Sequence, residues 1–72
     1  MRNSEIKNSI TMREMEILDL LSRGMSSNEI AAQLFISHNT VDYHRRRLMH
    51  KIEAKNIAEL IGKAYRIGIL SK

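Results

Sequence analysis

The chain has 72 residues, enough for one small domain and too few for a second, catalytic one. It contains no cysteine and no proline, which excludes a disulfide framework and thiolate metal sites and leaves long helices uninterrupted. The net charge is +4, and no apolar run approaches the ~18 residues of a membrane span, so we expect a cytoplasmic protein with no membrane contact.

The polar residues 1–9 are expected to be a flexible lead or linker, and residues 10–72 to form one helical domain. Three helix starts carry a capping box, in which a short polar side chain and a glutamate three residues later satisfy free backbone amides. The pairs are Thr11 with Glu14, Ser26 with Glu29, and Asn56 with Glu59.

The first predicted helix covers residues 12–22 and ends at Gly24, which can adopt the left-handed conformation of a C-cap. The second covers residues 27–34. Phe35 and Ile36 are then expected to anchor a tight turn.

Ser37 is the predicted N-cap of the third helix, which reaches about Ile52 and has one apolar and one basic side. The fourth predicted helix begins after Asn56 and ends near Ile67, with Gly68 as its stop.

Positive charge is concentrated in the third helix and the turn after it. Residues 38–55 contain five Lys or Arg against two Asp or Glu, whereas residues 1–37 contain four against five. Such a cluster is either a solvated helix face or a surface for an anionic polymer.

Two short helices joined by a tight turn, the second of them basic, favour a helix-turn-helix that places its second helix in the DNA major groove. A purely structural helical hairpin can share this pattern.

Several segments in order resemble the LuxR-type (GerE-like) helix-turn-helix domain, and the resemblance covers residues 10–70. They are ITMREMEIL (10–18), GMSSNEIA (24–31), LFIS (34–37), TVDYH (40–44), KI (51–52) and NIAEL (56–60). The resemblance implies an all-α, four-helix domain with the third helix as recognition helix and the fourth as dimerisation helix. It also implies control of bacterial transcription through double-stranded DNA, by a stand-alone regulator or the output domain of a response regulator, with RNA polymerase as a further candidate partner.

The chain departs from the family pattern at two places. Glu53 and Ala54 stand where glycine and an aliphatic residue are usual, so the turn is shaped differently or the third helix runs longer. Arg45 replaces an aliphatic residue, and we expect its stem to lie along the core edge with the guanidinium in solvent.

Four residues on the polar side of the recognition helix are candidates for contacting bases: Asn39, Asp42, Tyr43 and Arg46. Arg46 can bond guanine O6 and N7 together, or it can contact a phosphate. Asp42 can orient Arg46, accept from cytosine N4, or form an ordinary helical ion pair. Tyr43 can contact a thymine methyl group or a phosphate.

A second set is predicted to bind phosphates: Ser26, Ser37, Thr40, His44, Arg47, His50 and Lys51. The three hydroxyl residues lie at helix starts, where hydroxyls and free amides can hold phosphate oxygens, and each is also explained as a cap. His38, His44 and His50 point in different directions on a helix, so no metal site is expected, and no cofactor or catalytic residue is predicted.

The fourth helix carries a second apolar stripe, formed by Ala58, Ile61 and Tyr65, beside the one needed for the core. A symmetric partner would cover it, so we predict a homodimer that is weak without DNA. A protein-interaction module that has lost DNA binding and a sigma-factor promoter-binding domain are the alternative functions.

Overall fold

The computed structural model describes residues 3–71, without the side chain of Asn3. These residues form five α-helices and no strand. The helices are α1 (Asn3–Ser9), α2 (Met12–Ser22), α3 (Ser27–Leu34), α4 (His38–Ile52) and α5 (Ile57–Arg66). The predicted helical fold is therefore confirmed, and its four predicted helices correspond to α2–α5. Within the described residues, no helix combines the length and apolar character that crossing a membrane requires.

Helix α4 lies at the centre and contacts each of the other four helices. Its apolar side contributes Val41, Leu48 and Ile52 to a core formed with side chains from α2, α3 and α5. Several of these side chains are completely buried: Ile17, Leu18, Ile30, Leu60 and Ala64. Burial of large aliphatic side chains contributes about 1.5–3 kcal/mol each, so α4 is held by the same core that stabilises the domain.

The capping residues determine where the helices begin. Thr11 and Ser26 form complete capping boxes with Glu14 and Glu29, as predicted. At α5 only half of the box forms: Asn56 accepts from the amide of Glu59, at 2.8 Å, while the Glu59 carboxylate accepts from the amide of Lys55. The helix start is still capped, because Asn56 satisfies one of its free amides, and the Glu59 carboxylate satisfies the amide that precedes the cap.

The N-terminal segment differs from the expectation of a flexible lead. Residues 3–9 form helix α1, and Ile6 inserts into the core with 8% of its surface exposed. Its last carbonyl, that of Ser9, accepts a hydrogen bond from Lys51 on α4, at 2.6 Å. One apolar side chain and one buried hydrogen bond therefore dock this helix, and neither is visible in the local sequence pattern.

The turns after α3 and α4 both use a non-glycine residue in the left-handed region. Phe35 has φ 57° and Glu53 has φ 58°. The prediction that Phe35 anchors its turn is wrong, because 93% of its surface is exposed. Of the two expected anchors, Ile36 alone packs against the core. Glu53 ends α4 in the conformation that glycine favours, so the helix does not run longer. A non-glycine residue in this conformation costs backbone strain.

Candidate nucleic-acid interface

The exposed face of α4 carries four of the predicted DNA-contacting side chains. Asn39, Tyr43, Arg46 and His50 follow one another at spacings of three or four residues and are all exposed, so they share one face of the helix. Arg46 makes no hydrogen bond or ion pair with any residue in the range 3–71. Its guanidinium is therefore available for an external acceptor.

An open concavity of about 260 Å³ lies on this face. It is lined by Tyr43, Arg46, Arg47, His50 and Lys51. Three of these five side chains are cationic, but the Lys51 ammonium donates inward, so Arg46 and Arg47 are the two that can present their charge to a group there.

Asp42 is not paired with Arg46, contrary to one of the three roles considered for it. Its carboxylate instead contacts Nε2 of His38, at 2.9 Å, and Nη1 of Arg45, at 3.4 Å. Both partners lie on α4 itself, so Asp42 forms ion pairs within the helix with residues other than Arg46. The positive charge of Arg45 offsets the negative charge of the carboxylate, and a contact of Asp42 with cytosine remains a prediction.

The sequence predicts that the Arg45 guanidinium lies in solvent. In the structure it is turned toward α3 instead. Nη1 of Arg45 donates to the hydroxyl of Ser27, which is buried at the first turn of α3. A second contact between the same helices joins Nδ1 of His38 to Oδ1 of Asn28. These contacts, from the first turn and the middle of α4, fix α4 against the start of α3. The two are the helices of the helix-turn-helix.

Of the predicted hydroxyl ligands at the helix starts, Ser26 and Ser37 serve as exposed N-caps, and Thr40 is the third residue of α4. Oγ of Ser26 accepts from the amide of Glu29, at 3.2 Å, and Oγ of Ser37 accepts from the amide of Thr40, at 3.0 Å. The hydroxyls of Ser37 and Thr40 lie 2.8 Å apart. The capping role is present in the structure, and the phosphate role remains a prediction.

Glu14 lies at the start of α2 and has only 1% of its surface exposed. Among the described residues it is the one buried carboxylate. Oε1 accepts from Nζ of Lys51, at 2.7 Å, and Oε2 accepts from Nε of Arg47, at 3.1 Å. Burial alone raises the pKa of Glu14, but hydrogen bonds from Lys51, the Thr11 amide and Arg47 outweigh it and lower the pKa to about 2.

The two basic partners of Glu14 differ in exposure. The Lys51 side chain is 15% exposed and donates inward to both Glu14 and Ser9, whereas the Arg47 side chain is 46% exposed. Arg47 also lies over the ring of Tyr43, with its Cζ 5.7 Å from the ring centroid. Of these two predicted phosphate ligands, only Arg47 presents its charge at the surface.

His44 is half-buried and meets the ring of Tyr43 edge-on, at 5.4 Å between centroids. Its Nδ1 is buried without a partner among the described residues. A phosphate could therefore be reached only by the other ring nitrogen.

The predicted dimer stripe of α5 lies at the surface of the domain. Ala58 and Tyr65 are exposed, whereas Ile61 is partly buried and packs against the core. The neighbouring stripe of Leu60 and Ala64 is fully buried. The apolar arc of α5 thus extends past the part that the core covers.

Sequence reasoning did not identify Glu14, Ser27 or Asn28 as parts of this region. Glu14 was fully explained as the capping residue of α2, and its second role depends on side chains 33 and 37 residues away. The pairing of His38 with Asp42 could have been found, because the two residues are four apart on one helix.

Comparison with known proteins places the chain in a family. A family model described as "Bacterial regulatory proteins, luxR family" matches residues 8–64. The chain is 38% identical over 64 residues to the virulence-factor transcription regulator BvgA of Bordetella pertussis, covering 89% of this chain and 31% of that protein. It is 47% identical over 62 residues to the CsgBAC operon transcriptional regulatory protein of Escherichia coli, covering 86% and 29%.

Among solved structures, the response regulator ChrA of a heme-sensing two-component system superposes with a TM-score of 0.83 at 34% identity. The match covers 86% of this chain and 31% of ChrA. The chain thus spans about a third of the length of these relatives. The matched residues include α2, α3, α4 and most of α5, so the chain belongs to the LuxR family of bacterial regulatory proteins, with the helix-turn-helix of a DNA-binding transcription regulator.

Proposed function

We propose that the domain binds double-stranded DNA sequence-specifically, with α4 in the major groove, and thereby regulates transcription in the bacterial cytoplasm. The observation that carries this proposal is the exposed face of α4, where Arg46, which has no partner among residues 3–71, lies beside the half-exposed Arg47. No residue in the range 3–71 offers an acceptor to Arg46, and Arg47 keeps donors beyond the one that it gives to Glu14. A DNA groove supplies acceptors for the remaining donors of both side chains.

Base contacts are assigned to Asn39, Tyr43 and Arg46, which lie on the free face of α4. Asp42 is assigned to orienting His38 and Arg45, because its carboxylate is engaged with both. Phosphate contacts are assigned to Arg47, to His50 and to the helix starts at Ser26, Ser37 and Thr40, where free amides and hydroxyls lie together.

The proposal includes a homodimer formed through Ala58, Ile61 and Tyr65 of α5. What supports it is an apolar stripe beyond the buried one, on a helix that the core covers from only one side. A symmetric dimer would present two recognition helices to half-sites one DNA turn apart. RNA polymerase is a further candidate partner of the bound dimer.

Titration of a labelled duplex over a range of salt concentrations tests the DNA-binding proposal. Each neutralised phosphate should contribute about 0.9 to the slope of log affinity against log salt. Selection of bound sites from random duplexes would then give the operator. A flat salt dependence together with no selected sequence would favour the protein-interaction module.

A further inference from the structure

We infer that Glu14 is a positioning residue for DNA binding: it holds the Arg47 guanidinium at the surface of α4, where Arg47 contacts one backbone phosphate, while Lys51 balances the charge of Glu14 from inside. The inference rests on the proposed function. It assigns Lys51, predicted above as a phosphate ligand, to the interior of the domain.

The first step is the charge balance around the buried carboxylate. Lys51 is the more buried of the two cations and the closer one, with 2.7 Å between Nζ and Oε1. It also donates to the carbonyl of Ser9, so its donors are directed inward. One buried anion and one buried cation form a neutral pair, which leaves the charge of Arg47 as the surplus.

The second step is the direction of the Arg47 donors. Nε of Arg47 is bonded to Oε2 of Glu14, at 3.1 Å, and Nη1 lies 3.5 Å from the hydroxyl of Tyr43. Nη2 has no hydrogen-bond partner in residues 3–71. The guanidinium is planar and its donors diverge, so fixing Nε on the inner side turns the remaining donors outward.

The third step is the setting into which those donors point. Arg47 lines the 260 Å³ concavity together with Tyr43, Arg46 and His50. The Tyr43 ring supports the guanidinium from below, with the cation 5.7 Å from its centroid. A guanidinium that Glu14 and Tyr43 already hold loses less rotamer freedom when it binds. The entropic cost of a phosphate contact is therefore smaller, because the side chain is partly ordered in the free protein.

A charge-conserving double variant, Glu14→Leu with Lys51→Met, tests this role. It removes one negative and one positive charge, and replacing both partners of a buried pair with apolar groups is often tolerated. Binding is measured by fluorescence anisotropy on a labelled random-sequence duplex. We expect roughly two- to tenfold weaker binding, because Arg47 remains present but is no longer ordered.

The decisive comparison is made in an Arg47→Met background. Arg47→Met should itself weaken binding and lower the salt slope by about 0.9, as one lost phosphate contact requires. Adding the double variant to Arg47→Met should then cause no further loss. If Glu14 and Lys51 served only stability, their replacement would weaken binding equally with and without Arg47, which would overturn the inference.

Two controls keep the outcome interpretable. Arg13→Met with Glu16→Leu removes the exposed ion pair of α2, at 3.8 Å, and conserves net charge in the same way, so its binding should match that of the unmodified chain. Arg47→Lys keeps the charge without the divergent donors and serves if the double variant does not fold. We expect a two- to tenfold loss for it as well, roughly, and unchanged affinity would refute the inference.

Failure of the inference is distinguishable from failure of the proposed function. If the unmodified chain binds no duplex, DNA binding itself is wrong. If it binds with a steep salt dependence while the Glu14 and Arg47 variants bind equally well, only the positioning role is wrong.

Discussion

Acid should destabilise this domain mainly through Glu14. Its pKa is about 2 in the folded protein against an ordinary value of 4.5. Because the folded-state pKa is the lower one, the stabilisation is fully present above about pH 4.5 and is lost as the pH falls toward 2. The difference corresponds to about 3 kcal/mol at neutral pH, of which about 2 kcal/mol is lost by pH 3.

That loss is large for a domain of this size, since typical values per residue give a total stability on the order of 4–11 kcal/mol. The measurement is urea unfolding followed by far-UV circular dichroism at neutral pH and at about pH 3. The unmodified chain should lose about 2 kcal/mol more than the Glu14→Leu, Lys51→Met variant, which has no carboxylate to titrate at this position.

Glu29→Gln is the matched comparison, because Glu29 caps α3 from an exposed position. The amide and hydroxyl of Ser26 lower the pKa of Glu29, but solvent screens its carboxylate. Its removal should change the acid sensitivity much less than the Glu14 change. Equal pH dependence in the unmodified chain and the double variant would show that Glu14 is not held ionised by its two cations.

Three further predictions concern α4 and α5. Glu53→Gly should raise the free energy of unfolding by about 1 kcal/mol in the same urea assay. The reasons are that φ 58° favours glycine and that the change removes a negative charge from a helix C-terminus. An unchanged unfolding midpoint would mean that the left-handed cap is unstrained. Arg46→Ala should lower affinity for a selected operator by roughly 1–3 kcal/mol while random duplex loses less; equal losses would make Arg46 a phosphate ligand. Ala58→Glu should abolish cooperative binding to a two-site operator without changing thermal stability, because Ala58 is exposed. Ser4→Glu adds the same charge to α1 as its control, and persistent cooperativity in Ala58→Glu would place the dimer contact elsewhere.

Helices α2–α5 could be predicted because each begins at a local signal. Capping side chains at Thr11, Ser26 and Ser37 are bonded to amides three residues later, and such short-range bonds are specified by adjacent sequence. Helix α1 could not be predicted in this way. Its docking depends on Ile6 in the core and on a bond from Lys51, which is 42 residues from Ser9.

The face of α4 could be predicted from its periodicity, but the direction of each basic side chain could not. Arg45, Arg46 and Arg47 are adjacent and chemically identical. Arg45 nevertheless bonds α3, Arg46 has no partner among the described residues, and Arg47 bonds Glu14. Each outcome depends on whether an acceptor from another helix lies within reach. That information is tertiary, so the sequence pattern could not separate the inward-facing Lys51 from the outward-facing Arg47.

The bond from Lys51 to the carbonyl of Ser9 also bears on where the autonomous folding unit starts. A truncated chain that begins at Ile10 would remove Ile6 from the core and leave the inward-facing ammonium with Glu14 alone. Helix α1 is therefore joined to the C-terminal half of α4 by this bond. Removing α1 would take one acceptor from Lys51 beside the carboxylate that also holds Arg47, so the unit that should fold as a whole includes residues 3–9.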